Sequence, residues 1–445
     1  MLGDVGVAET SLPTMRPVVG MDMLGVRADL IFQFRADDPP VDGKWAEGYM
    51  FEQPSLETTL RERLRDFPTA TLQLGHEVTS IEPLSDALGG VVVRSQRAGE
   101  EHEVRGRLLV GCDGSHSMTR SALDSDLFDY GVEKRWLVVD VALKVSIKLP
   151  EVTVQYCEPA RPCTYVPLPG NRRRFELLVL PGEDPESMTE PDVVRSLLSR
   201  WLEPADYFVD RATVYSFHGL VASRWRSGPL MIAGDAAHQM PPFLGQGMCA
   251  GVRDAANLAW KIDLVLSGAA SSSLLDTYQT EREPRVRRII ETDLYLADLI
   301  QTMDEEKAAA RDVAATKGGH PTEIRPRPYP IGLTLSPEGE VNGLPFPQGI
   351  TSQGVRLDDL IGPNFALVGQ VELTNECAAI LDLIGTRRVS DPPDSVRQWL
   401  SDIDASAVLV RPDHNVLAAV NSPEDLMEAL LPLAEHLTHG SSDSI

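Results

Sequence analysis

Apolar and polar positions alternate over 28–34, which predicts a strand, and Leu56, Leu60 and Leu64 recur every four residues, which predicts a helix over 53–67. Pro54 suits the first turn of that helix, where a missing backbone N–H costs nothing. Residues 1–26 show no strong period. Strand patterns follow over 71–81, 90–96 and 104–110, with turns between them. A run of antiparallel strands is expected over 140–148, 152–157, 164–168 and 175–180, punctuated by Gly and Pro. A helix over 191–201 and a strand over 211–217 come next. The apolar strand 229–233 then leads through a Gly- and Pro-rich loop into a long helix starting near Gln246, and a second long helix covers 274–304. Residues 305–350 have many Pro and Gly and no sustained period, so they read as a linker. A smaller α/β unit begins near Gln353, with the segment 357–367, helices over 372–384 and 423–438, and strands over 407–411 and 416–420. The tail 440–445 is expected to be disordered.

At 445 residues, the length suggests about three domains. A net charge of −25 argues against nucleic acid and against an anionic membrane surface, both of which would repel the chain. The cysteines, Cys112, Cys157, Cys163, Cys249 and Cys377, form no C-x-x-C pair and no metal-ligand spacing. Scattered and odd in number, they suit reduced thiols in a cytosol. With no long apolar span and no signal-peptide layout, the expected location is cytoplasmic.

The chemistry concentrates at Gly234-Asp235-Ala236-Ala237-His238, followed by Pro241-Pro242-Phe243-Leu244-Gly245-Gln246-Gly247-Met248. One carboxylate stands at a strand end, and the loop after it runs to a helix N-terminus, where free N–H groups favour an electron-rich ligand atom. Glycines at 245 and 247 let a flat ligand approach the backbone. An ordinary strand-loop-helix connection with an Asp cap would use the same residue types. A second strand-turn-helix, Gly111-Cys112-Asp113-Gly114-Ser115, precedes Arg120, and Phe51-Glu52-Gln53-Pro54-Ser55-Leu56-Glu57 opens the first helix.

These three runs resemble motifs of the FAD-dependent aromatic hydroxylases, the class A flavoprotein monooxygenases. The resemblance extends from near residue 1 to about 420. It implies that Gly234 and Asp235 bind the ribityl and pyrophosphate part of FAD. It puts Pro242, Gly245, Gln246, Gly247 and Met248 at the isoalloxazine ring, with Asp113 and Gly114 near the pyrophosphate and Gln53 reaching the FAD. The implied fold is α/β: a Rossmann-like FAD-binding domain, an inserted antiparallel substrate sheet and a thioredoxin-like C-terminal domain. The expected division is 1–130, 131–225 for the sheet, 226–304 for the return of the FAD-binding domain, a linker at 305–350, and 351–440. The stretches around Arg135-Trp136, Gln155 to Val166 and Arg173-Arg174-Phe175-Glu176 are similar to the 3-(3-hydroxyphenyl)propionate hydroxylase branch. Tyr215 and His218 are the candidate substrate-pocket residues. The C-terminal run Arg411-Pro412-Asp413-His414 resembles the third domain of the phenol hydroxylases, here with Cys377 alone and no basis for disulfide exchange.

The implied reaction is hydroxylation of a phenol by O2, with NAD(P)H reducing FAD and oxygen transferred through a flavin C4a-hydroperoxide. The cofactor carries that chemistry, so no side chain is assigned as a catalytic acid or base, and no metal is expected. The partners expected are a small aromatic substrate and O2, with a homodimer as a further option. A hydroxylase of polyketide-derived aromatic rings shares the same flavin motifs and stays open. The family's opening βαβ unit of about 30 residues, with G-x-G-x-x-G, does not occur in the sequence. That points to an internal start of the reading frame or a shortened gene. It keeps open a third reading, a flavin-free remnant, and leads to the expectation that a strand neighbouring the absent one lacks a partner.

Overall fold

The computed structural model describes residues 2–36, 45, 46, 48–84, 89–316 and 341–438. The tail 440–445 and most of the expected linker, 317–340, lie outside the described residues.

In chain order the main elements begin with β1 (Gly20–Leu24), β2 (Leu30–Arg35) and α1 (Gln53–Leu64). A meander, β3 (Glu77–Pro83), β4 (Val91–Arg97) and β5 (Glu100–Gly106), precedes β6 (Leu109–Gly111) and α2 (Met118–Ala122). The middle of the chain holds β7 (Leu127–Leu143), β8 (Thr153–Tyr156), β9 (Cys163–Pro167), β10 (Arg172–Leu178), α3 (Pro191–Leu198) and β11 (Tyr207–Ala222). Then come β12 (Leu230–Ile232), β13 (His238–Gln239), α4 (Gly247–Leu266), α5 (Thr277–Gln301) and α6 (Glu305–Thr316). The C-terminal unit contains β14 (Ala366–Gly369), α7 (Asn375–Leu383), β15 (Arg387–Val389), α8 (Asp394–Asp402), β16 (Ala407–Val410), β17 (Val416–Val420) and α9 (Pro423–Ala434).

The largest sheet has eight strands in the order β13-β11-β7-β10-β9-β8-β1-β2. Its neighbours are antiparallel except β8 and β1, which run parallel. Alternation gives the sheet two different faces. Leu137, Val139, Val141 and Phe175 pack with Val194 and Leu198 of α3 on one side. Trp136, Leu178 and Met23 pack with Phe243, Leu296 and Ile300 on the other.

In a second sheet β6 and β12 are parallel, with the short strand Arg226–Ser227 on the far side of β12. Among the described residues β6 is paired on one edge only. The C-terminal sheet has the order β15-β14-β16-β17, with β14 parallel to β15 and antiparallel to β16. Its inner side shares one core with α4 and α5, and the Phe365 ring meets Trp260 edge-on at 5.3 Å.

The structure corrects several boundaries. The big sheet reaches outside 131–225, because β1, β2 and β13 join it through long-range pairing. The expected linker begins with a helix: α6 holds Ala308 and Ala315 buried, and Asp312 Oδ2 accepts the Val26 N–H at 2.7 Å. Three consecutive alanines and no Gly or Pro favour helix there. The strand read over 104–110 is two strands, β5 and β6, in different sheets. Strand β15 and helix α8 had no counterpart in the sequence reading.

Candidate active site

Strands β6 and β12 run side by side, with Gly111 opposite Ile232. The two loops that follow therefore emerge together, and the Ala233 N–H donates to Gly111 O at 3.0 Å. Arg120 straps the loops, donating from Nη1 to Ala236 O at 2.9 Å and from Nη2 to Ser115 O at 2.7 Å. The structure thus brings the Asp113 and Asp235 runs to one place.

The two carboxylates do different things there. Asp113 accepts from Ser117 Oγ at 2.6 Å, Thr119 N at 2.9 Å and Thr119 Oγ1 at 3.0 Å. Burial acts to raise its carboxyl, but these bonds outweigh it and hold the group below its ordinary value. Asp113 therefore ties down the start of α2, and Gly114 beside it takes φ +76°. Asp235 is exposed and makes no hydrogen bond to another described residue, so its oxygens are free for a ligand.

Gly234 has φ +62° and packs against α4: a Cβ built on Gly251 would lie 3.3 Å from Gly234 Cα. Its N–H donates to Asp254 Oδ2 at 3.1 Å. Asp254, fully buried, also pairs with His238 Nε2 at 2.6 Å and Arg282 Nε at 2.8 Å. Burial acts to raise the Asp254 carboxyl, and the His238 and Arg282 charges and hydrogen bonds bring it below its ordinary value.

The loop from β13 to α4 is fixed at several points. Pro242 O accepts the Gly245 N–H at 2.9 Å, and Gly245 has φ +61° with open space where a side chain would project. Gln246 Oε1 accepts from Arg253 at 3.1 Å, Gly247 opens α4, and Met248 is exposed. Asp293 of α5, buried, accepts the Leu244 N–H at 3.1 Å. Burial pushes its carboxyl up to about 8, against the backbone hydrogen bonds of Leu244 and Phe243. The sequence reading missed Asp293, since an Asp within a charged helix carries no signal of its partner.

Phe243 joins this loop to the large sheet, its ring edge-on to Trp136 at 5.6 Å. Cross-strand partners share a face. Leu178 and Tyr215 stand opposite Trp136, Glu176 and Thr213 opposite Val138, and Thr164 opposite Glu176. Further along this face, Asp140 accepts from Arg174 Nε at 2.7 Å and pairs with Arg211 Nη2 at 2.9 Å. The nearest cation to Glu176 is Arg174, 3.9 Å away. Burial pushes the Glu176 carboxyl up, with Arg174 opposing and Asp140 adding to the rise.

Tyr215 lies on the Trp136 face, and its hydroxyl accepts from Arg211 Nη1 at 3.0 Å. His218 is three residues further along the same strand, so alternation turns it to the other face, opposite Glu133. The two candidate pocket residues are thus not brought together. Gln53 is exposed in the first turn of α1 and donates to Glu57 Oε1 at 2.9 Å; among the described residues no hydrogen bond links it to the Asp113 or Asp235 loops.

A family model described as FAD binding domain matches residues 1–293. The chain is 31% identical over 446 residues to a probable NADH-specific resorcinol 4-hydroxylase of Rhodococcus jostii, covering 95% of this chain and 83% of the relative. It is 30% identical over 481 residues to a 3-(3-hydroxy-phenyl)propionate/3-hydroxycinnamic acid hydroxylase of Escherichia coli, covering 98% and 85%. Among solved structures, aklavinone-11 hydroxylase with FAD and aklavinone aligns with a TM-score of 0.76 at 22% identity, covering 98% of this chain and 90% of that one. The flavin-dependent monooxygenase PieE, in complex with FAD and substrate, aligns with a TM-score of 0.79 at 21% identity, with the same coverage.

The chain belongs to the FAD-dependent aromatic hydroxylases, the class A flavoprotein monooxygenases, whose cofactor is FAD and whose reductant is NAD(P)H. The residues present fit the flavin half of that cofactor. Asp235 has no hydrogen-bond partner among the described residues, Gly234 and Gly245 keep the backbone bare, and the N-terminus of α4 stands at the end of the loop.

Proposed function

We propose that the chain hydroxylates a small phenol of the 3-hydroxyphenyl acid type, held between the 240–248 loop and the Trp136 face of the large sheet. The observation that carries this reading is the contact of Phe243 with Trp136, which links the flavin loop to that face. Bound FAD, reduced by NAD(P)H, would supply the oxygen-transfer chemistry.

The chain's own groups bind and orient. Asp235 would hold the ribityl hydroxyls, and Gly245 to Met248 would meet the ring near the N-terminus of α4. Asp113 and Gly114 would shape the pyrophosphate side, with Gln53 as a further contact. Trp136, Phe243 and Leu178 would exclude water from the substrate, while Tyr215 and Glu176 would offer polar contacts to its hydroxyl. His218 would act only from the other face of the sheet.

The C-terminal unit would be a thioredoxin-like domain, supported by the β15-β14-β16-β17 order, with a packing role. Cys377 is buried, and the sequence has no C-x-x-C. No helix among the described residues is long and apolar enough to cross a membrane, and we place the chain in the cytoplasm.

The test is reconstitution with excess FAD, desalting and a visible spectrum, followed by assays with 3-(3-hydroxyphenyl)propionate, resorcinol and multi-ring phenols. Retained flavin bands and NADH oxidation coupled to hydroxylation of a single-ring phenol are expected. Turnover of multi-ring phenols alone would overturn the substrate class, and a colourless protein would overturn the proposal that this chain is itself a hydroxylase.

A further inference from the structure

Between helices α4 and α5 and the C-terminal unit lies a cavity of about 280 Å3. Three arginines line it: Arg253 of α4, and Arg282 and Arg285 of α5. Asp358, Asp413 and His414 face them from the C-terminal side.

The acidic groups are already committed. Asp413 Oδ2 accepts from Arg411 at 2.6 Å, and Asp358 pairs with His414 at 3.0 Å, which also pairs with Asp4 at 3.0 Å. Arg282 has its carboxylate in Asp254. Arg253 donates only to the neutral amide oxygen of Gln246, and Arg285 has no acidic partner within 4.0 Å among the described residues. Two guanidiniums from adjacent helices thus share one cavity, neither with a carboxylate within 4.0 Å among the described residues. Burial pushes Arg285 down to about 10, the charges of Arg253 and Arg282 push the same way, and Asp413 opposes them only in part.

Both side chains are half-buried, so each guanidinium raises the cost of the other, and an anion between them would lower it. The fork of a guanidinium matches the oxygens of a phosphate in paired hydrogen bonds, and two forks match a doubly charged group. Pockets for drug-sized ligands measure roughly 300–1,000 Å3. This one falls just below that range, so it suits one or two phosphate groups and not a whole dinucleotide.

We propose that this cavity binds an oxyanion of the phosphate class, gripped by Arg253 and Arg285. The source is either a free phosphate or diphosphate, or the phosphate end of a nucleotide whose remainder stays outside. Asp235 and Gly245 are not among the cavity's lining residues, and Arg253 touches the 240–248 loop through Gln246.

The test uses the full chain, with thermal unfolding and titration calorimetry against inorganic phosphate, pyrophosphate and ADP, at ionic strength matched with chloride. One-to-one binding with a rise in Tm beyond the chloride control is expected. Arg285→Gln and Arg253→Gln should each weaken it about tenfold or more. Ligand-free Arg285→Gln should unfold at the same temperature as the parent or higher, since a repelled charge has gone, which shows the variant folded. Arg285→Lys should recover part of the affinity. Stronger binding of ADP than of pyrophosphate would assign the source to a nucleotide, and equal or weaker binding to a free oxyanion. Binding no stronger than chloride, or binding that Arg285→Gln leaves unchanged, would overturn the proposal.

Discussion

The buried carboxylate of Asp293 accepts the backbone N–H of Leu244 at 3.1 Å, fastening the loop before α4 to helix α5. Among the described residues its Oδ2 is buried without a partner. The group stands at about 8 in the folded chain against an ordinary 3.8, so the folded state keeps a proton that the unfolded chain releases. The resulting stabilisation is complete below 3.8 and is lost as pH rises from there through about 8. Asp293→Asn keeps the acceptor for Leu244 and cannot ionise. Unfolding by urea should show the parent losing stability between about pH 4 and pH 8 more steeply than the variant. At the upper end the variant should be about 1–3 kcal/mol more stable than the parent. Parallel pH profiles would contradict this.

Asp254 is the common acceptor for Gly234, His238 and Arg282. Asp254→Ala leaves the Arg282 guanidinium buried without its carboxylate, and should cost about 3–5 kcal/mol. Denaturant unfolding measures this. A loss below about 1 kcal/mol, within the spread of ordinary single substitutions, would mean that water replaces the carboxylate.

Asp113 and Asp235 should separate stability from flavin binding. Asp235→Ala removes a free carboxylate, so it should change stability by no more than about 0.5 kcal/mol while bound FAD falls sharply. Asp113→Ala deletes the acceptor for Ser117 and Thr119, and should cost about 1–2 kcal/mol. Flavin absorbance after desalting, paired with thermal unfolding, reads both. Full flavin content in Asp235→Ala would remove that residue from the site.

Glu176 stands on the Trp136 face with its carboxyl raised by burial. Glu176→Gln keeps the shape and loses the charge. In FAD-loaded protein, phenol affinity should fall by about tenfold with flavin content unchanged. An unaltered titration of flavin absorbance with phenol would mean that Glu176 only fills the face.

Cys377 is buried, and its Sγ donates to Pro423 O at 3.7 Å. Cys377→Ser should leave NAD(P)H oxidation unchanged. A large loss would give the C-terminal unit a redox role.

The Gly234 to Met248 run was legible in the sequence because its chemistry is contiguous: strand end, carboxylate, glycine loop and helix start follow one another along the chain. The same holds for the Gly111 to Arg120 turn, whose Asp113 bonds reach no further than Thr119. Helices α4 and α5 were both expected as long helices, the first starting near Gln246 and the second over 274–304. The α6 helix was not, because alanines give a strong helix propensity but a weak apolar stripe.

What only tertiary structure decided spans long stretches of chain: Phe243 against Trp136, Asp293 beneath Leu244, and Arg253 and Arg285 lining one cavity. The side-by-side exit of the Asp113 and Asp235 loops depends on β6 pairing with β12 across more than a hundred residues. The sequence by itself determined which residues are candidates for a flavin site, since backbone freedom, local charge and helix ends are properties of neighbours in the chain. Which of them face one another, and which charges are left without a partner, depends on packing between distant segments, where a carboxylate's value can move from 3.8 to about 8 with nothing in its own sequence neighbourhood to announce it.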